Sequence, residues 1–189
     1  MTPAEFRAAV DAYRFTATVP PHPAGSIVIG HAHGLRAAWE PALVYTLACE
    51  TDGVAVAFEW SDDELRPLVD DLIASGRVDL DELWHLPEGA EAFCGDGRFT
   101  AGHVALLERL LAEGRLSQLI LFDRVDWVQP ERSTQMAARL TRDWSRQHRL
   151  VAVVGAGHLP VFAAHLPDVA LLELDYTGTV TGTAVVPER

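Results

Sequence analysis

Ser26-Ile27-Val28-Ile29-Gly30-His31-Ala32-His33-Gly34 is a short apolar run that passes straight into a loop holding two histidines between glycines. The pattern returns at Leu150-Val151-Ala152-Val153-Val154-Gly155-Ala156-Gly157-His158. Apolar runs of this length, rich in β-branched residues and closed by glycine, suit strands buried on both faces of a parallel sheet. Working outward, the spacing predicts strands at residues 26–29, 54–59, 119–122, 150–154 and 169–174, with a further edge strand at 179–186. The segments between them repeat apolar residues at helical intervals. Alternation of this kind implies an α/β fold, a mostly parallel central sheet of about five or six strands flanked by helices.

The helix signals are local. Thr2 and Pro3 open a helix over 3–13 whose apolar face is Phe6, Ala9, Val10 and Tyr13. Residues 35–49 form a second helix restarted at Pro41. Ser61, Asp62, Asp63 and Glu64 begin a third, which Gly76 ends. Residues 100–113 and 130–148 carry helical stripes, and 159–166 a short one. Residues 77–100 read weakly, as a lid or an irregular connection around Trp84, His85 and Phe93.

Composition sets bounds. A chain of 189 residues, 49% hydrophobic and without a long apolar run, suits one α/β domain over residues 1–189. Its first residues lack a secretory core, so a cytoplasmic, non-membrane protein is expected. Cys49 and Cys94 stand far apart without metal-type spacing. All 15 basic residues are arginine, which excludes lysine Schiff-base chemistry and a phosphate-loop lysine. The formal charge of −12 argues against a nucleic-acid partner. Between Glu50 and Asp96, fourteen acids face only Arg66 and Arg77, a solvated acidic surface or a docking face.

In parallel sheets ligands gather beyond the carboxyl ends of the strands. That rule selects His31 and His33 after the first strand, Glu59 after the second, Asp123 after the third and His158 after the fourth. His31, His33, Glu59 and His158 form a candidate ligand set for zinc, manganese or iron, whose bound water would have its pKa lowered toward ~7. Without metal, one histidine can act as general base on water while Glu59 orients it, worth ~10² to 10⁴ in rate. Arg132, in a first helical turn near the strand ends, can hold a substrate carboxylate or an oxyanion. His22, His103 and His165 read as ordinary residues. An eight-stranded barrel needs ~250 residues and is excluded; no nucleophile elbow or dinucleotide fingerprint follows the first strand.

Gly30-His31-Ala32-His33, Phe58-Glu59, Arg132-Ser133-Thr134-Gln135-Met136-Ala137 and Gly155-Ala156-Gly157-His158, in that order, resemble the erythromycin esterase, ChaN-like and Tiki/TraB superfamily. The resemblance spans residues 26 to 160. It implies that His33, Glu59, Arg132 and His158 are the functional positions. His31 stands where such members usually carry glutamate, and Ser133 where they carry aspartate. The first departure removes a carboxylate and favours metal or haem ligation. The resemblance implies a hydrolase acting on a small-molecule or peptide substrate through His33, Glu59, Arg132 and His158. Two alternatives stand beside it: a haem- or metal-binding protein without turnover, with His31, His33 or His158 as axial ligand, and an inactive interaction module. A homo-oligomer is left open.

Overall fold

The computed structural model describes residues 2–19, 21–31, 39–79 and 100–174; of Trp39 and Glu64 only the backbone is described. Helix α1 (Pro3–Ala12) starts on a capping box in which Thr2 Oγ1 accepts from Glu5 N and the Glu5 carboxylate accepts from Thr2 N. Strand β1 (Ile27–His31), helix α2 (Trp39–Ala48), strand β2 (Val54–Ser61) and helix α3 (Asp62–Ser75) follow. Gly76 ends α3 in the left-handed region, φ 73°, with its N–H on Leu72 O. Helix α4 (Ala101–Ala112), strand β3 (Leu116–Asp123), helix α5 (Arg132–Asp143), strand β4 (Arg149–Gly155), a 3₁₀ turn (Ala156–His158), helix α6 (Leu159–His165) and strand β5 (Ala170–Leu174) complete the described chain. The predicted strand at 179–186 and the segment with Trp84, His85, Phe93 and Cys94 lie outside the described residues. Among the described residues no helix is long and apolar enough to cross a membrane.

The sheet has the order β3-β2-β4-β1-β5 with every pair parallel, as the all-apolar runs require. Its faces are distinct cores. Ile27, Ile29, Val54, Val56 and Phe58 pack against α1 to α4, whereas Val28, Ala55, Ala57, Ile120 and Phe122 pack against Met136, Ala137 and Leu140 of α5 and Leu159 and Phe162 of α6. The alanines of β2 face α5 and α6, so that layer rests close to the sheet. Closer still is β1: a Cβ on Gly30 would run into the Leu159 side chain. Glycine there lets α6 lie on the strand.

Several boundaries differ from the sequence pattern, among them that of β2, which runs past Glu59 to Ser61. Strand β1 runs on through Gly30 and His31, which pair in register with Val154 and Gly155 of β4. Strand β3 starts earlier than its apolar core, because an edge strand tolerates the exposed Ser117 and the half-buried Gln118. Helix α5 stops at Asp143 rather than 148: Gln118 Oε1 accepts the Ser145 N–H at 3.0 Å, and Gln118 Nε2 donates to Asp143 O at 2.6 Å. The edge strand's amide thus terminates the helix.

The crossovers mark the crevice. After β4 the chain leaves toward the α5 and α6 layer, while after both its neighbours, β2 and β1, it enters the α1 to α4 layer. Such a switch opens the sheet at the carboxyl end of β4, which is Gly155 and the turn to His158.

Candidate active site at the end of strand β4

Glu59 shares the parity of Ala55 and Ala57 and therefore reaches over the sheet edge on the α5 and α6 side. Its position is over-determined. Oε2 accepts the Gly155 N–H at 2.6 Å across to β4, and Oε1 accepts from Arg132 Nη2 at 2.8 Å. Arg132, at the start of α5, also donates Nε to Asp123 Oδ1 at 3.1 Å and Nη2 to Asp123 Oδ2. The Asp123 hydrogen bonds, joined by the Glu59 charge, hold the Arg132 guanidinium above its ordinary range despite the opposing effect of burial. The arginine therefore stays charged and both carboxylates have a fixed cation between them.

The Gly155-Ala156-Gly157-His158 turn folds His158 back over this edge, where it is 7% exposed. Its Nε2 lies 3.4 Å from Glu59 Oε1, and its Nδ1 lies 2.7 Å from Ser133 Oγ. Ser133 follows Arg132 in α5 and is 8% exposed. Asp123, Arg132, Glu59, His158 and Ser133 thus form one continuous polar chain, drawn from β3, α5, β2 and the turn after β4. A carboxylate oxygen accepts, so the ring tautomer that suits both contacts carries its proton on Nε2, toward Glu59. Nδ1 then presents its lone pair to the Ser133 hydroxyl. A serine, an imidazole and a buried acid in this relation can move a proton and raise a nucleophile.

His31 is elsewhere. It has the parity of Ile27 and Ile29 and faces the α1 to α4 layer, with Nε2 3.2 Å from Glu40 Oε2. Glu40 Oε1 lies 2.8 Å from His103 Nε2, and His103 Nδ1 accepts the Thr100 N–H at 3.1 Å. Phe58 and Trp60 stack at 4.0 Å and present to His103 edge-on. This second cluster ties β1, α2 and α4 together. His103, which reads as ordinary in the sequence, is its most buried member, 1% exposed, and its partner Glu40 carries no sequence signal at all.

His31, Glu59 and His158 therefore do not converge on one ion. The carboxylate oxygens of Glu59 are taken by a guanidinium and an amide N–H, a poor setting for a second cation. Among the described residues no group of three or more histidine, cysteine or acidic side chains is placed to hold a metal. His33 lies outside the described residues. His22 is not a free loop residue, since its ring lies 3.2 Å from Glu50.

No protein-family model matches the chain, and no curated protein matches it. Solved structures do. The Vibrio vulnificus RRSP effector domain of a MARTX toxin superposes with a TM-score of 0.56 at 18% identity, covering 87% of this chain and 35% of that one. A structure described as bacterial protein toxins gives 0.56 at 17% identity over 84% of this chain and 36% of the other. The C-terminal region of Pasteurella multocida toxin, described as having a thiol-protease-like catalytic triad, gives 0.52 at 10% identity over 100% of this chain and 27% of the other. The chain spans about a third of the length of the structures it matches, and at these identities the likeness is one of fold. It overturns the assignment to the erythromycin esterase, ChaN-like and Tiki/TraB superfamily: the structural neighbours are bacterial toxin effector domains. The motifs behind that assignment were two to six residues long, and glycine followed by a polar residue arises wherever a parallel strand turns into a helix.

Proposed function

We propose that the chain is a hydrolytic enzyme acting on a small-molecule or peptide substrate at the carboxyl end of β4. The observation that carries this reading is the chain from Ser133 through His158 and Glu59 to Arg132 and Asp123. In it His158 takes and returns the proton. Glu59 fixes the ring's tautomer and faces the imidazolium as it forms, while Arg132, itself held by Asp123, keeps Glu59 in place. The likeness to toxin effector domains supports an enzymatic role, since the Pasteurella multocida toxin structure carries a catalytic triad in its C-terminal region.

Among the described residues no thiol is placed to serve as the nucleophile. Cys49 follows α2 at the amino-terminal edge of the sheet, before β2 begins at Val54. Five residues of strand, about 16 Å at ~3.3 Å each, separate Val54 from Glu59. Cys94 lies outside the described residues.

The test is hydrolysis of a panel of chromogenic esters and peptide anilides by the purified chain. Turnover that falls by ~10³-fold or more in His158→Ala and by ~10²-fold or more in Glu59→Gln is expected. Equal rates in wild type and both variants would end the proposal.

A further inference from the structure

We infer that Ser133 is the nucleophile of this site, and that its substrates are carboxylic esters or amides cleaved through an acyl group carried on Ser133 Oγ. This rests on the hydrolytic reading above and decides which oxygen attacks. A histidine that activates water needs a ring nitrogen open to that water, yet Nε2 of His158 faces Glu59 Oε1 at 3.4 Å and Nδ1 meets Ser133 Oγ at 2.7 Å. With the ring proton held on Nε2 by an acceptor-only carboxylate, the hydroxyl is the donor to Nδ1. The proton the base removes first is therefore the serine's. The order of nitrogens, hydroxyl on Nδ1 and acid on Nε2, does not alter the chemistry, because an imidazole accepts at either nitrogen while donating from the other.

Position supports the role. Ser133 sits in the first turn of a twelve-residue helix, so its oxygen is held by a rigid element rather than a loop. The positive end of that helix lies at Ser133, a setting that favours negative charge developing beside its oxygen.

The step balances without an added reagent. Ser133 Oγ attacks the carbonyl carbon as its proton passes to His158 Nδ1, forming the C–O bond and an oxyanion. Collapse of the oxyanion breaks the bond to the leaving alcohol or amine, which takes the proton from the imidazolium. Water then adds to the acyl carbon, gives one proton to His158, and expels Ser133 Oγ, which recovers that proton as the carboxylic acid departs.

The experiment treats the purified chain with phenylmethylsulfonyl fluoride and, separately, with p-nitrophenyl acetate, followed by intact mass measurement and peptide mapping. A single sulfonyl adduct mapped to Ser133, lost in His158→Ala, is the expected result. With the ester, a burst of about one nitrophenol per chain and a fall of ~10³-fold or more in Ser133→Ala are expected. The adduct is read on the wild-type protein, so the proposal stays testable even if Ser133→Ala folds poorly. Ester turnover that survives in Ser133→Ala but is lost in His158→Ala would overturn the serine and leave the hydrolytic reading standing, with water as the nucleophile. Wild-type protein that neither labels nor turns over any ester or amide would overturn both.

Discussion

Two buried polar clusters sit at the same edge of one sheet, on opposite faces, and both are built from histidine and glutamate. In the cluster of Glu59, Arg132, Asp123, His158 and Ser133, each carboxylate is answered by a guanidinium, which leaves the imidazole one nitrogen for a hydroxyl. In the cluster of His31, Glu40 and His103, a single carboxylate lies between two imidazoles, and the Phe58 and Trp60 rings pack against His103. The lesson is that the same residue types divide by what holds the acid. Where arginine does so, histidine keeps a nitrogen for a hydroxyl; where histidine does so, it is committed to the acid.

The most forceful way to break this comparison is to exchange the consequences. His158→Ala should lower hydrolysis by ~10³-fold or more while leaving the urea midpoint little changed, because the Glu59 charge keeps Arg132. His103→Ala should do the reverse. It removes one of the two imidazoles that hold the buried Glu40, a loss of about 1–3 kcal/mol, read as a lowered urea midpoint with a near-normal rate per folded molecule. A large loss of activity in His103→Ala with unchanged stability would show that the second cluster takes part in the chemistry.

How far these roles could be read in the sequence follows from the kind of signal each residue leaves. The parallel strands, the helix starts and the Glu59, Arg132 and His158 trio are local features, set by apolar runs and by the rule that sites lie beyond strand ends. His31 lies at the expected edge but on the face opposite Glu59, because β1 continues through it and one residue of parity decides the face. Glu40 and His103 stand 63 residues apart, and nothing in either neighbourhood names the other. Ser133 drew notice only as a departure from a resemblance; its meaning depends on the 2.7 Å to a ring 25 residues away.

Gly30 joins the clusters and so sharpens the comparison at lower cost. It precedes His31 in β1, and Leu159, which covers it, follows His158. Gly30→Ala must push the Leu159 side chain away, an overpacking cost of about 1–3 kcal/mol. Since His158 shares that turn, the hydrolytic rate should fall as well, whereas the Glu40 cluster, on the opposite face, should be spared. Measuring both stability and rate distinguishes a shift toward the α6 side from general loosening, which would lower stability alone.

The smallest effect comes from the far end of α5, where a solvated pair gives the scale against which both buried clusters are judged. Asp143 accepts from Arg142 Nε at 2.6 Å, and this bond, with help from Arg139 and against partial burial, holds its carboxyl below the usual range. A carboxyl lowered on folding contributes stability that is present above its unfolded pKa and is lost as pH falls through the folded one. Arg142 is 70% exposed, so water and salt screen most of that gain. Arg142→Ala should therefore leave the urea midpoint almost unchanged near neutral pH. The difference from wild type should shrink toward zero as the pH is taken below the ordinary carboxylate range, where Asp143 is protonated in both proteins. Urea unfolding across that range checks it, and a penalty comparable to that of His103→Ala would mean that burial is not what separates the strong clusters from the weak.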